Sequence, residues 1–469
     1  MPFLHRFRVH DRMPASAPAP DLPAEIRRTL LLAGPLIVGQ VTSYAMTFVD
    51  TVMAGRLGAL DLGAVAVGSS IWAAGMVFVV GLMMAVSAAV SQLDGAGRRR
   101  QAGELTRQAL WLALAVSAVL FFLMRRGDGV MSIIGVEPGV ADLAHRYLLA
   151  ISWGMPALAG MFVLRFFSEG TGHTRPTMYI GVMGILFNVP LNFVLMFGKL
   201  GFPALGAEGC GWATAVVLWL QLFMMAGWVQ WRPYYRPFGV FERFSGPDWR
   251  ELRGLLVLGL PIGLMVFLEA SLFIASALAI GTLGTLPVAA HQVAINFSGL
   301  IFMVPLGLSG AITVRVGNAV GRRDRAGARR AGLVGIGIAL SFGALASVTM
   351  VLFPELIARL YTPDPEVVAL AASLLFFAAV FQLADCLQVS AAGALRGLKD
   401  TRVPMLYSVL AYWLIGMSVG WWLTFRQDWG PAGMWCGIIA GLTVAAFLLG
   451  GRFLRITASW QEIEELSSP

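Results

Sequence analysis

The sequence predicts an all-α integral membrane protein of twelve membrane-spanning helices, arranged as two six-helix repeats. Three observations carry this. Hydrophobic residues make up 58% of the 469 and charged residues only 13%, a composition that excludes an ordinary soluble globular domain. Apolar windows of about 20 residues, the length that crosses a bilayer, recur along the chain. The hydrophobic pattern of residues 31–228 is written again over 257–454. The runs are too long for barrel strands and do not alternate at period two.

The repeat keeps its register. An offset of 226 residues pairs Pro35 with Pro261, and Gly55, Leu57 and Gly58 with Gly281, Leu283 and Gly284. It also pairs Ala64, Val67, Gly81, Ala85, Val90, Gly95 and Arg99 with Ala290, Val293, Gly307, Ala311, Val316, Gly321 and Arg325. Further on the offset becomes 227, and Gly170, Thr174, Arg175 and Met178 meet Gly397, Thr401, Arg402 and Met405. Shared apolar composition produces chance identities, but not matched Pro, Gly and Arg at constant spacing. A duplicated set of membrane helices is the usual build of a secondary transporter, with its site between the halves. Six spans per half give both repeats the same orientation, related by an axis along the membrane normal.

Residues 1–28 are basic, rich in Pro and Ala, and lack the apolar core of a signal peptide. They read as a disordered cytoplasmic extension. Residues 29–228 form the first lobe, with spans near 31–54, 62–90, 108–124, 147–168, 177–198 and 209–230. The first span holds Pro35, a candidate kink, and near its outer end Asp50. The fifth holds Asn188 and Asn192, four residues apart and therefore on one helix face. Residues 229–254, with three prolines and five arginines, form a cytoplasmic linker. Its aromatics, from Trp231 to Phe244, are placed on the membrane interface. Residues 255–455 form the second lobe, with spans near 255–281, 288–314, 331–353, 367–394, 403–424 and 432–453. Pro261 and Pro305 lie in its first two spans, and residues 456–469 form a cytoplasmic tail.

Of the 34 Lys and Arg residues, 27 fall in segments on the side of the N-terminus and seven on the other. Arg165, Arg175 and Arg396 are counted among those inside segments. The excess marks the cytoplasmic side and puts both termini there. The net charge of +8 is thus an orientation signal, and no nucleic acid is expected as a partner. Cys210, Cys386 and Cys436 lie in or beside spans without metal-binding spacing and read as small packing residues.

Three acids stand inside spans: Asp50 in TFVDTVMAG, Glu269 in VFLEASLF and Asp385 in FQLADCLQV. None has a Lys or Arg within a helical turn. A charge at such depth costs about 2.5–3.5 kcal/mol or more, so each is expected to face a cavity or a partner. The plainer alternative is a structural polar contact between helices. Glu269 lies 16 residues beyond Arg253, and Asp385 lies 11 before Arg396. On straight helices their depths then differ by about 8 Å, unless tilt or a kink at Pro261 brings them together. The repeat does not duplicate the acids: Asp50 aligns with Ser276, Glu269 with Ser43 and Asp385 with Ala159. Carboxylate and amide oxygens suit a hard cation such as Na⁺, and a carboxyl group in an apolar setting suits a proton; both chemistries stay open. In the first lobe, Asp50 with Asn188 and Asn192 is expected to form a polar cluster that binds a cation or bends the first helix on protonation. His291, with Gln292 near the outer start of the eighth span, reads as a solvated helix end. No HExxH or GxSxG set occurs in a span, so no enzyme is expected.

Five blocks resemble the multidrug and toxic compound extrusion (MATE) transporters, in their NorM-like branch. They are GPLIVGQVTSYAMTFVDTVMAGRLGALDLGAVAVGSSIW, NVPLNF with GKLGFPALGAEGCGWATA, LEASLF, PVAAHQVAINF and LADCLQVSAAGALRGLKDTRVPM. The resemblance covers roughly residues 28 to 455 and excludes the basic extension. It implies two six-helix lobes forming a V around a central cavity. It also implies export of bulky, mostly cationic compounds against inward Na⁺ or H⁺, in the inner membrane. Glu269 and Asp385 match the family's second-lobe acids and make the Na⁺ candidate site; Asp50 matches the first-lobe acid, with Asn188 and Asn192. Gln40, Gln292 and Asn296 are further polar candidates for the cavity wall. Phe381, one turn from Asp385, stands where some relatives carry Tyr, which implies a missing hydroxyl ligand. The expected partners are cationic or amphipathic drugs and the bilayer, with a monomeric chain and no cofactor beyond the coupling ion. The competing reading is a flippase for a lipid-linked saccharide or cell-wall precursor. An anionic headgroup calls for Arg or Lys along the cavity, whereas the ionisable residues read inside the spans here are acidic.

Overall fold

The protein is described by a computed structural model that covers residues 22–126, 129, 131 and 136–459. Among these residues every regular element is helical. The first half comprises α1 (Leu22–Leu57), α2 (Ala59–Gly95), α3 (Arg99–Met124), α4 (Pro138–Ser152), α5 (Met155–Gly170), α6 (Arg175–Phe197) and α7 (Ala207–Trp231). The second comprises α8 (Trp249–Gly281), α9 (Thr285–Gly321), α10 (Arg325–Leu352), the short α11 (Pro354–Arg359), α12 (Pro365–Gly397), α13 (Arg402–Phe425) and α14 (Pro431–Ile456). Eleven helices are long and apolar enough to cross a membrane. The pair α4 and α5, bent by 47° at their break, makes a twelfth span. The single span expected at 147–168 is therefore broken, at Trp153 and Gly154 just before Pro156. Proline tolerates the first helical turn, where its missing N–H has no partner to lose. In α13, residues Val409–Met417 are wound as a π-helix.

Each half buries its own core. Val79, Tyr147, Leu148, Phe167 and Cys210 centre the first; Leu374, Tyr412, Trp435 and Leu442 centre one part of the second, and Ile312, Leu395 and Phe453 another. Cys386 is also buried and Cys436 partly so, all three cysteines being free thiols.

The halves meet along α1, α2, α8 and α9, and their contacts are reciprocal. A Cβ on Gly81 would lie 2.7 Å from Cα of Gly263, and one on Gly307 would lie 2.8 Å from the backbone nitrogen of Ile37. Adding 226 converts Gly81 to Gly307 and Ile37 to Gly263, so these are one contact made twice. Gly95 against Asn318 and Gly321 against Gln92 form a second such couple. Ser91 packs on Gly317, its own repeat mate. A residue touches its own equivalent only beside a two-fold axis. The pseudo-two-fold therefore runs between α2 and α9 at Ser91 and Gly317. Small residues let these backbones approach, which is how membrane helices associate without a hydrophobic driving force. Gln92 Nε2 donates to the Gly397 carbonyl across the seam (2.8 Å), and Arg315 binds Glu25 through both carboxylate oxygens (2.5 Å each).

Several expectations are corrected. Residues 22–28 are not extension: α1 starts at Leu22, and Glu25 is buried in its ion pair with Arg315. Residues 1–21 and 460–469 lie outside the described residues. The linker aromatics do not all sit at an interface. Tyr235 and Phe238 are buried in the first-lobe core, while Trp231, Phe244 and Trp249 are exposed. The linker is strapped to α3. Arg107 donates to the Gly239 carbonyl (2.5 Å) and Ser245 (2.9 Å), Trp111 to the Ser245 carbonyl (2.9 Å), and Arg243 to Glu104 (2.8 Å). Gln108 accepts from the Asp248 backbone (2.8 Å), which ties the cap of α8 to the first lobe. Arg165 and Arg396 are not loop charges but buried helix residues, 5% exposed each. His291 is no solvated end: it is 2% exposed, with its ring edge-on to Trp435.

Candidate functional site

In the first lobe, α1 carries Asp50 to the face of α6 that presents Asn188 and Asn192. Both amides are fully buried, and their spacing of one helical turn stacks them on one side. Asp50 Oδ1 accepts from Asn192 Nδ2 (2.5 Å) and Asn188 Nδ2 (3.1 Å), and Oδ2 accepts from Thr214 Oγ1 on α7 (3.3 Å). Asn192 also donates to Asn188 Oδ1 (3.2 Å). The residues expected to cluster do so in direct contact, and Thr214 is a third donor that the sequence reading missed. Three donors on one carboxylate fix its rotamer. Asn192 Oδ1 has no partner among the described residues and remains a free acceptor beside the carboxylate.

The second lobe is built differently. Asp385, on α12, is 1% exposed, and neither carboxylate oxygen has a hydrogen-bond partner among the described residues. Glu269, on α8, is half-buried and lies within electrostatic range of Asp385. Gln388 lies one turn below Asp385, beside Glu269, and donates through Nε2 to the hydroxyl of Tyr412 (2.6 Å). Tyr412, fully buried in the π-helical stretch of α13, faces both acids. Phe381 does lack a hydroxyl and packs edge-on against Trp435 and Phe273, but Tyr412 brings a phenol to the acids from another helix. π-Helical turns recur at functional sites, and no residue pattern in α13 announces one. Arg396 lies within electrostatic range of Glu269 and was also missed. Gln40 is half-buried; Gln292 and Asn296 are exposed on one face of α9, where Tyr44 of α1 reaches the Asn296 carbonyl (3.4 Å).

The two polar clusters thus occupy different lobes and differ in state. Asp50 is saturated by neutral donors. The second cluster holds two carboxylates with acceptors left over, Gln388 Oε1 and Gln382 Oε1 among them. Unsatisfied buried oxygens of this kind suit a cation or a proton as the missing partner. Among the described residues no group of three His, Cys, Asp or Glu forms a transition-metal cage.

The MatE family model matches the chain twice, over residues 35–194 and 261–422. The probable multidrug resistance protein NorM of Xanthomonas campestris pv. campestris is 45% identical over 443 residues, covering 94% of this chain and 97% of its own. The multidrug resistance protein PmpM of Pseudomonas aeruginosa is 44% identical over 440 residues, 92% of each chain. Among solved structures, the eukaryotic MATE transporter AtDTX14 superposes with a TM-score of 0.87 over 95% of this chain and 98% of that one, at 22% identity. A MATE family transporter of the MOP superfamily, described as outward-facing, gives 0.84 over 96% and 100%, at 20% identity. The two model matches begin at Pro35 and Pro261, the same pair that opens the internal repeat. With relatives this similar over almost their whole length, the chain belongs to the MatE family of multidrug and toxic compound extrusion transporters.

Proposed function

We propose that this protein is a multidrug efflux antiporter that exports bulky, mostly cationic organic compounds in exchange for inward Na⁺ or H⁺. The observation that carries the reading is the second-lobe acid pair. Asp385 is buried with both oxygens unpartnered, close to a second carboxylate, Glu269. Two such groups are costly without a counter-charge and take up a proton or a cation for much of the cycle. A cationic drug supplies the same compensation. Cargo and ion then compete for one negative site, and that competition is the essence of antiport. The names of the relatives, multidrug resistance proteins, support drugs as cargo. Asp50 with its amides is the first-lobe counterpart, binding a cation or bending α1 on protonation.

The chain is proposed to work as a monomer in the inner membrane, with both termini and the linker cytoplasmic and no enzymatic activity or cofactor. Transport in membrane vesicles, with Na⁺ and pH gradients imposed separately, tests the coupling. Uptake or efflux of a fluorescent organic cation should follow one gradient and stop when it is collapsed. Transport indifferent to both gradients would overturn the reading. Orientation is tested at Arg243, whose side chain is 71% exposed: a cysteine there should resist an impermeant thiol reagent in intact cells and react once the cells are opened.

A further inference from the structure

Arg396 is the one buried arginine of the acid-pair region, and the mechanism above does not use it. It sits on the last turn of α12, 5% exposed. One terminal nitrogen donates to Ser309 Oγ on α9 (2.5 Å), and the other approaches Met84 Sδ on α2 of the first lobe (3.2 Å). Its Nε has no partner, and among the described residues no carboxylate is within ion-pair distance. Adding 227 to Glu169 gives Arg396, so the repeat places an acid in one lobe where it places a base in the other. Glu169 is satisfied at home, by Arg165 (2.7 Å) and Thr177 (2.9 Å). Arg396 has only a serine and a thioether.

Helix geometry supplies the direction. Side chains lean toward the N-terminus of their own helix. α8 and α12 enter the site from opposite ends, because α8 starts where α12 finishes. Glu269 therefore leans down α8 and Arg396 leans up α12, each toward the other. The charged group acting on Arg396 is Glu269 on α8; α9 and α2 present Ser309 and Met84, which do not titrate.

Resting on the antiport reading, we propose that Arg396 is the internal counter-cation of the second lobe, neutralising Glu269 when the site holds neither coupling ion nor drug and yielding the carboxylate when either arrives. Arg396 then sets how tightly the acid pair binds any cation. Its hydrogen bond to Ser309 holds the guanidinium back from Glu269, so the two residues have opposite effects on affinity.

The test is equilibrium binding of ethidium, an aromatic cation, to purified full-length protein in nanodiscs at fixed Na⁺ and pH. Arg396→Gln should tighten binding by on the order of tenfold, as removal of one competing charge at close range predicts. Arg396→Lys should stay near wild type. Ser309→Ala should weaken binding, because the freed guanidinium moves onto Glu269. In Glu269→Gln/Arg396→Gln the tightening should vanish. A purely structural arginine predicts weaker or unchanged binding in Arg396→Gln, and either result would overturn the proposal. Should that variant not fold, unchanged binding in Ser309→Ala does so instead. Glu269→Gln alone separates the two levels. If it binds ethidium like wild type, the acid-pair reading itself falls. If it binds weakly while Arg396→Gln fails to tighten, only the role of Arg396 falls.

Discussion

Exchanging Ser91 and Gly317 probes the two-fold seam directly. A Cβ on Gly317 would stand 3.1 Å from Cβ of Ser91 and well inside contact with its hydroxyl. Ser91 is fully buried and its hydroxyl donates to the Ala88 carbonyl (3.0 Å). Gly317→Ser alone forces that hydroxyl to turn away. The cost is an overpacking term of about 1–3 kcal/mol and a lost hydrogen bond of about 0.5–1.5 kcal/mol, so roughly 2–4 kcal/mol in all. Ser91→Gly alone leaves a hole one hydroxymethyl in size and a flexible residue in α2, about 1 kcal/mol. The exchange Ser91→Gly/Gly317→Ser should recover nearly all of the larger loss. The axis passes between the two positions, so the serine finds the same space on α9 that it had on α2. Its hydroxyl gains the Val314 carbonyl, the repeat mate of Ala88. Helix propensity cancels, since one glycine and one serine remain. The assay is the thermal midpoint of purified protein in detergent for the two single variants and the exchange. An exchange as unstable as Gly317→Ser would show that the seam is not two-fold at this level, and the reciprocal-contact argument would fail with it.

Three further outcomes are expected. In the first lobe, loss of thermal stability should rank Asn192→Ala, then Asn188→Ala, then Thr214→Val, following bond lengths of 2.5, 3.1 and 3.3 Å to Asp50; the first should cost about 1.5–3 kcal/mol, as a bond to a charged group does, and an inverted order in melting curves would refute the ranking. Glu269→Gln and Asp385→Asn should each abolish gradient-driven transport at matched expression, and Asp385→Asn should leave the melting midpoint near or above wild type, because neutralising an uncompensated charge relieves a cost; wild-type rates in both return these acids to a structural role. Glu25→Ala should destabilise the protein by about 3–5 kcal/mol, since Arg315 is left charged and mostly buried, and the reversal Glu25→Arg/Arg315→Glu should restore part of it, with melting of all three proteins as the check.

The sequence made some of this legible and hid the rest for definite reasons. Asp50, Asn188 and Asn192 could be grouped because polar residues are rare in spans and the two amides share a helix face. Thr214 could not, since a lone threonine in a membrane helix carries no signal. Glu269 and Asp385 stood out one by one, but their mutual placement depends on helix tilt and crossing, which residue spacing along straight helices does not encode. Arg396 and Arg165 were misread because a basic residue near the end of an apolar run looks like a loop charge. Both are instead held in the bundle by buried partners, Ser309 on another helix for Arg396 and Glu169 one turn along the same helix for Arg165. Tyr412 owes its place to a π-helical stretch, and His291 its burial to Trp435 on another helix; neither follows from local pattern. The start of α1 at Leu22 rather than after residue 28 goes with the ion pair of Glu25 to Arg315, a partner 290 residues away that the basic, Pro-rich local composition does not signal.

The moorings of the two acid-bearing helices have a mechanical corollary. α1 is fastened near its beginning to the opposite lobe, through Glu25 and Arg315, yet delivers Asp50 to amides of its own lobe. α8 repeats the arrangement: its cap, Asp248, is tied to Gln108 of the first lobe, and Trp413 of the second lobe holds it through Ser271, two residues past Glu269. Each is a lever clamped at both ends to different bodies, about 37 Å apart along α1 and about 31 Å from cap to acid along α8. When the bodies rock, a lever so clamped has to flex between its clamps. In α1 the proline between them is Pro35, and in α8 it is Pro261, the points where the backbone lacks a hydrogen bond and bends most cheaply. A displacement at the seam would thereby turn Asp50 and Glu269, and a change of charge on either acid would be felt as torque at the seam.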